Sequence, residues 1–317
     1  MENGKTLPPG EAAHEERLDA IARRLIARRD TTRLILVGGP SSAGKTTFSK
    51  RLAWHLEQAG AQTLAISTDD FFVGDARNPR DADGKLDYEH LNAIDLDLLN
   101  TCLSDLLAGR EAHLPRFDFH THAPFPERHP ARLPAGAFAI IEGLHSLNPA
   151  LTPAIPASAK HTILADTATN PYGLPAGREG LATPGQRGPG AAEAPATVPH
   201  GTPQRLIRRL IRDAKYRGRD AAATIAIWPS VTAGEARWIR PFANLADETF
   251  DTSLPSEPSF LRPYAEPALA AIPPSSPSHA TAQGLLALLS QFPPLDAAPV
   301  PPFSILREYI GGSGIEY

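Results

Sequence analysis

The run Gly39-Pro40-Ser41-Ser42-Ala43-Gly44-Lys45-Thr46 has the spacing G-x-x-x-x-G-K-T. That spacing suits a polyphosphate. Glycines let the main chain wrap it, successive N–H groups point inward as donors, the lysine reaches the β- and γ-phosphates, and the threonine hydroxyl ligates Mg²⁺. Gly39, Ser41, Ser42, Ala43, Gly44, Lys45, Thr46 and the following Thr47 are therefore the candidate nucleotide-binding residues, with ATP and Mg²⁺ as the expected cofactors. A phosphate loop also needs an acid at the end of a neighbouring strand to hold the metal or its waters, and AFAIIEG supplies Glu142 there. Asp69 and Asp70 lie side by side in STDDFF, behind the short apolar run AQTLAIS. Phosphoryl transfer to an alcohol needs a carboxylate that orients the hydroxyl and accepts its proton. Strand alternation sends successive side chains to opposite sides, so only one of the two can face the phosphate. Local chemistry leaves the choice between them open.

These groups need elements to carry them. RLILVGG is a short apolar run of the kind buried parallel strands show, and it leads through the glycine-rich turn into a helix over about 44–59. AQTLAIST, AFAIIEG and KHTILAD read as three more strands, and EHLNAIDLDLLNTCLSDLLAG as a long helix between the first two of them. Alternation of strands and helices predicts a doubly wound parallel α/β sheet, which delivers the ends of its strands to one ligand-binding edge. Before the first strand, Leu18, Ile21, Leu25 and Ile26 recur at helical spacing. Helical patterning returns from Gln204 to about Leu245, ETFDTSL reads as a last strand, and PSFLRPYAEPALAAI and SHATAQGLLALLSQF as two more helices. Between 167 and 203 lie seven glycines and seven prolines with almost nothing to bury. Such a composition predicts a disordered surface insertion. The expected organisation is a tail and helix over 1–30, a kinase-type domain over 31–260 interrupted by that insertion, and a C-terminal helical extension over 261–317.

Composition narrows the surroundings. A formal net charge of -4 gives no overall pull toward nucleic acid or membrane, so any attraction for anions must be local. The single cysteine, Cys102, lies in an apolar run and rules out an internal disulfide. The N-terminal stretch has no apolar core of a secretory signal, and no apolar run approaches the roughly 20 residues of a membrane span. The expected location is the cytoplasm, and the expected partner is a small molecule. Whether the protein forms a homo-oligomer is left open by the sequence.

Arg205, Arg208, Arg209 and Arg212 are spaced i, i+3, i+4, i+7 and share one helical face, while Leu206, Ile207, Leu210 and Ile211 occupy the other. Such a stripe calls for an anion or an acidic partner. A solvated basic face, or a patch for nucleic acid, is the alternative.

The ordered set GGPSSAGKT, S-x-D-x-F-F, DGKLDYEH, LPRFDFHTH, IIEG and RLIRRLIRDAKYRGRD resembles the uridine kinase and phosphoribulokinase family of P-loop kinases. IWPSV, RPYAEPAL and SILREYIGGS resemble a bacterial branch of uridine kinase-like nucleoside kinases. Members of that branch often carry an N-terminal domain shared with threonyl-tRNA synthetases; with some 30 residues before the first strand, this chain is expected to lack it. The resemblance implies a P-loop NTPase-type fold with a helical lid, and a nucleoside kinase that transfers the γ-phosphate of ATP to the 5′-hydroxyl of a pyrimidine nucleoside. It names Asp69 as the general base and Glu89 as the acid that contacts the ribose hydroxyls. It assigns Phe117 and His122 to the base of the substrate, and Arg208 and Arg209, then Arg205, to charge stabilisation on the transferring phosphoryl group. The family also places an aspartate shortly before the arginine run, where this chain has Thr202 and Pro203. That difference implies either a longer hinge or a lost acidic partner. Two other readings remain: a kinase of a sugar phosphate, pantothenate or another small alcohol, and a non-catalytic ATP-binding protein that meets RNA through the arginine stripe. Cationic groups arranged for a second phosphate would favour the former, and salt-sensitive RNA binding without ATP turnover the latter.

Overall fold

The computed structural model describes residues 7–81, 83–119, 121–168, 171–172 and 203–315. The insertion expected over 167–203 therefore falls almost wholly outside the described residues, as do residues 1–6 of the expected tail.

Five strands form one parallel sheet in the order β2-β7-β1-β8-β9: β1 Leu34–Gly38, β2 Thr63–Ser67, β7 Phe138–Gly143, β8 Lys160–Asp166 and β9 Glu248–Asp251. Two small antiparallel ribbons lie between β2 and β7 in sequence. One pairs β3 Ala112–Leu114 with β6 His129–Ala131, and the other pairs β4 Phe117–Asp118 with β5 Ala123–Pro124. The central strand β1 is apolar throughout because both of its faces are covered. Leu34 and Leu36 pack toward α3 (Leu96–Leu107), whereas Ile35 and Val37 pack toward α1 (Glu11–Ile26) and α2 (Lys45–Gln58). A third core joins α4 (Pro203–Tyr216), α5 (Ala221–Trp238), α6 (Glu257–Ala270), α7 (His279–Leu289) and the short α8 (Arg307–Ile310). Leu206, Ile207, Leu210 and Ile211 belong to that core, as their spacing predicts.

Two helices differ from their expected extent. The long helix over 89–109 begins only at Leu96. Ile94 is drawn into an extended bridge with Phe72, the Asp95 N–H bonds the Phe71 carbonyl at 2.8 Å, and the Asp95 side chain caps the N–H of Leu98. The pattern over 204–245 splits into α4, α5 and a 3₁₀ turn at Arg240–Leu245. The break falls at Arg217–Asp220, where Gly218 takes φ +60° and Asp220 caps α5 through the Ala223 N–H. Conversely, α6 stays helical through Pro263 and Pro267. The carbonyl that Pro263 leaves unbonded, that of Ser259, is taken by the Leu295 N–H at 3.0 Å.

Candidate active site

The carboxyl ends of β1, β2, β7 and β8 place the phosphate loop, Asp69, Glu142 and Asp166 on one edge of the sheet. Ser67, Glu142 and Val37 stand in register across three strands. A parallel sheet takes its ligands at this edge, beside the strand where the order reverses, here β1. A cavity of about 420 Å³ lined by Arg17, Arg24, Arg28, His161, Asp247 and Glu248 lies at the opposite edge, where β8 and β9 begin.

The loop from Gly39 to Gly44 is shaped by three residues with positive φ: Gly39 (+153°), Ser42 (+58°) and Gly44 (+81°). Gly39 passes so close to the Ala165 carbonyl of β8 that no Cβ fits. Side chains hold the loop carbonyls from outside. Lys45 Nζ donates to Pro40 O at 3.0 Å, Arg205 Nη1 to Ser41 O at 3.2 Å, and Tyr309 Oη to Ser42 O at 3.2 Å. The Ser41 hydroxyl accepts from Arg209 Nη1 at 2.5 Å. The first-turn N–H groups of α2, which have no carbonyl within their own helix, face the cradle this leaves. Thr46 is half-buried at that turn. Thr47 is fully buried, and its hydroxyl donates to Glu308 Oε2 at 2.6 Å.

Lys45, Asp69, Glu142, Glu89 and Glu308 make one charged cluster. Burial pulls the Lys45 ammonium below its usual range, while Glu142, Asp69 and Glu308 favour its charge. Burial, then the Asp69 charge, pushes the Glu142 carboxyl up, and Ser67 Oγ donates to it at 2.9 Å. Glu89 is pushed up to about 7, first by burial, with Arg209 and Lys45 opposing and Asp69 adding to the rise. The two adjacent aspartates part company. The Asp69 charge is felt by Lys45, Glu142, Glu89 and Arg217. Asp70 turns toward Arg116 and His129, accepts the Phe117 N–H at 3.4 Å, and borders a separate cavity of about 280 Å³ lined by Phe72, Pro115 and Phe125 among others.

An acid cluster around Lys45 suits a divalent ion. Among the described residues no group of three His, Cys, Asp or Glu side chains forms a metal cage. Mg²⁺ is ordinarily held by one or two side chains together with phosphate and water, so Thr46 and Glu142 fit that pattern.

Beyond β2, Phe72, Phe117 and Phe119 form an aromatic cluster with centroids 5.2–6.4 Å apart. Phe117 is buried and His122 exposed. The His122 ring pairs with the Tyr88 hydroxyl at 2.9 Å and lies near Asp75. Its neighbour His120 lies outside the described residues.

The arginine stripe is not a solvated face. Arg205, Arg208 and Arg209 are all buried. Arg208 in particular sits elsewhere than the phosphoryl-transfer role expects. Its Nε and Nη2 donate to the wholly buried Glu257, both at 2.6 Å, and its Nη1 and Nη2 bond the Thr252 hydroxyl and carbonyl. With these donors engaged, and its guanidinium stacked 5.3 Å from the Tyr309 ring, Arg208 is a structural residue behind the loop. Arg205 and Arg209 are the two of the stripe that touch the loop itself. Arg205 finds its acidic partners elsewhere in the fold. Glu235 of α5 pairs with Arg205 at 2.7 Å, Asp166 lies 4.0 Å away, and Arg240 bridges both acids.

Residue reasoning passed over Glu235, Glu308 and His145. His145 follows IIEG at 2% exposure. Burial pulls its ring down to about 4, with the Glu89 carbonyl opposing, and neither ring nitrogen completes a hydrogen bond of normal geometry. An imidazole in IIEGLH, buried straight after an acid at a strand end, was the available signal.

Residues 34–150 match the model of the phosphoribulokinase / uridine kinase family. A uridine kinase from Chloroflexus aurantiacus is 30% identical over 112 residues, covering 35% of this chain and 51% of that protein. The chain spans about half the length, or less, of such curated relatives. A solved structure described as a possible uridine kinase from Bacillus stearothermophilus aligns with TM-score 0.39 and 22% identity, covering 47% of this chain and 79% of the other. D-glycerate 3-kinase from Cryptococcus neoformans aligns with TM-score 0.31 and 20% identity, covering 41% and 51%.

Proposed function

We propose that this chain, whose residues 34–150 match the phosphoribulokinase / uridine kinase family model, is an ATP-dependent kinase of a small alcohol, and that its acceptor is the 5′-hydroxyl of a pyrimidine nucleoside. The observation that carries the reading is the convergence of Lys45, Asp69, Glu142 and Glu89 beside a formed phosphate loop. When bound, Mg²⁺·ATP supplies the transferable γ-phosphoryl group and the counter-charge that its transition state needs.

The chain's own residues then do the following. Loop and first-turn amides, with Lys45, would hold the phosphates, and Thr46 and Glu142 would hold the metal. Asp69 orients the acceptor hydroxyl and takes its proton. Arg209 and Arg205 fix the loop and supply positive charge beside it. The half-buried Glu89 receives the ribose hydroxyls, and the aromatic cluster around Phe117, with His122 at its rim, receives the base. Nucleoside recognition is favoured by that cluster, since stacking surface is of little use to a sugar phosphate.

One observation favours the second reading, a phosphorylated acceptor. Arg209, Arg212, Arg217 and Arg219 gather within about 4 Å of the single buried Asp213, leaving a positive surplus on the side where Arg217 meets the Asp69 charge.

The test is ADP release from Mg²⁺·ATP across a panel of nucleosides and sugar phosphates. Stimulation by uridine or cytidine is expected. Stimulation by a sugar phosphate alone selects the second reading. No stimulation by any alcohol, with RNA binding that salt abolishes, would remove the kinase reading altogether.

A further inference from the structure

Residues 304–311, which include α8, lie more than 250 residues beyond the phosphate loop in sequence and yet directly against it. Ile305 is 1% exposed, and a Cβ placed on Gly44 would meet its Cδ1 at 2.5 Å. Gly44 needs to be glycine for its left-handed backbone, and any Cβ there would also have to push the Ile305 side chain aside. Tyr309 is fully buried; its hydroxyl donates to Ser42 O, which holds the 42–43 peptide plane. Glu308 accepts from the Thr47 hydroxyl at 2.6 Å, and its charge reaches both Lys45 and Glu142.

The segment is itself fixed at both ends. Arg307 donates to the carbonyls of Ala297 at 2.9 Å, Val300 at 2.6 Å and Gly311 at 3.1 Å. Lys215 of α4 donates to the Ile310 carbonyl at 2.6 Å, and the left-handed Gly311 leaves no room for a Cβ against that ammonium. A loose tail would make none of these contacts, and a helix packed only on the apolar core would have no reason to aim a carboxylate and a phenol at the loop.

We infer that this C-terminal segment is a working wall of the nucleotide site, in which Tyr309 and Ile305 brace the phosphate loop from outside and Glu308 positions Thr47 in the first turn of α2. The inference rests on the nucleotide-binding reading above. Glu308 and Tyr309 act through the loop and are positioning residues, so their loss should be read in nucleotide affinity and not in acceptor recognition.

The experiment uses the full chain, with Tyr309→Phe, Glu308→Ala and Glu308→Gln beside the parent. Mg²⁺·ADP affinity is titrated by calorimetry, KM is measured separately for ATP and acceptor, and Tm is taken without nucleotide. Tyr309→Phe is expected to weaken ADP about fivefold, and Glu308→Ala about tenfold, the losses expected for one buried hydrogen bond each. Glu308→Gln keeps an acceptor for Thr47 and should return to within about twofold of the parent. KM for ATP should rise with affinity loss while KM for the acceptor stays at its parental value, and the nucleotide-free Tm should fall only by the few degrees that one buried hydrogen bond is worth. Parental ADP affinity in both Tyr309→Phe and Glu308→Ala overturns the inference. So does Glu308→Gln binding as weakly as Glu308→Ala, or more tightly than the parent, since either would make charge and not geometry the role of Glu308. Failure of the parent itself to bind ADP is a different result, and it removes the nucleotide reading on which the inference stands.

Discussion

Asp69 and Asp70 feel each other's charge, but their side chains serve different surroundings, so they should separate sharply in kinetics. Asp69→Asn keeps the shape and removes the proton acceptor, and kcat should fall by about 10²–10⁴ with ADP affinity within a few-fold of the parent. Asp70→Asn changes a group that faces Arg116 and the Phe117 amide, and its kcat should stay within about threefold. Equal losses in the two variants would refute the assignment. Glu89 makes a second prediction at this scale. Its folded value, about 7, lies above the ordinary 4.5, because burial disfavours the carboxylate. The folded chain therefore keeps a proton that the unfolded chain releases. The stability this gives is full below about pH 4.5 and is lost as pH rises to about 7. Glu89→Gln escapes that loss, so its urea stability relative to the parent should improve between pH 4.5 and pH 8 by about 1–2 kcal/mol. A difference that is flat across that range would show that Glu89 titrates normally.

At the scale of elements, α4 carries both the loop contacts and the most completely buried ion pair among the described residues. Arg208 and Glu257 join α4 to α6 with 0% exposure on either side chain. Removing one partner strands a charge in the core, and Glu257→Gln or Arg208→Met alone should lose about 3–5 kcal/mol. The double variant Arg208→Met/Glu257→Met should recover most of that, because an apolar pair of similar volume needs no counter-charge. Additive losses in the double variant would mean that the pair stabilises in its own right. The apolar side of α4 was legible in Leu206, Ile207, Leu210 and Ile211, since helical period alone decides it. The polar side was not: i, i+3, i+4, i+7 places the arginines on one face but says nothing about what covers it. Their partners, Glu235 and Glu257, lie 30 and 49 residues further on. The phosphate loop was legible for the opposite reason, because its strand, turn and helix are contiguous, although the close packing of its glycines on Ala165 and Ile305 was not. The break between α4 and α5 was signalled in RGRD by a glycine and a capping aspartate, and continued apolar periodicity hid it.

The whole molecule is stitched across layers at points far apart in sequence. Thr47 meets Glu308, Ser42 meets Tyr309, Arg205 and Arg209 of the C-terminal layer grip the loop after β1, and Gly10 before α1 packs on Leu254. The boundary expected near residue 260 runs through a shared core, since α4 and α5 contribute Leu206, Leu210 and Trp228 to the same cluster as Leu261, Leu285 and Tyr309. Two layers that share a core and a ligand loop should melt as one. Trp228 is fully buried in the C-terminal core, while Trp54 is half exposed on α2. With Trp54 and Trp238 replaced by Phe, Trp228 fluorescence reports the helical layer and far-ultraviolet circular dichroism the whole chain. Both should show one transition at the same Tm. Mg²⁺·ADP at about 100 times its Kd adds roughly 2.7 kcal/mol, which for a chain of this size moves Tm by about 3–6 °C. The two probes should move together, because the ligand is held by a loop that both layers brace. A Trp228 transition that precedes the loss of dichroism, or that does not respond to nucleotide, would show instead that the helical layer is an independent unit merely resting on the sheet.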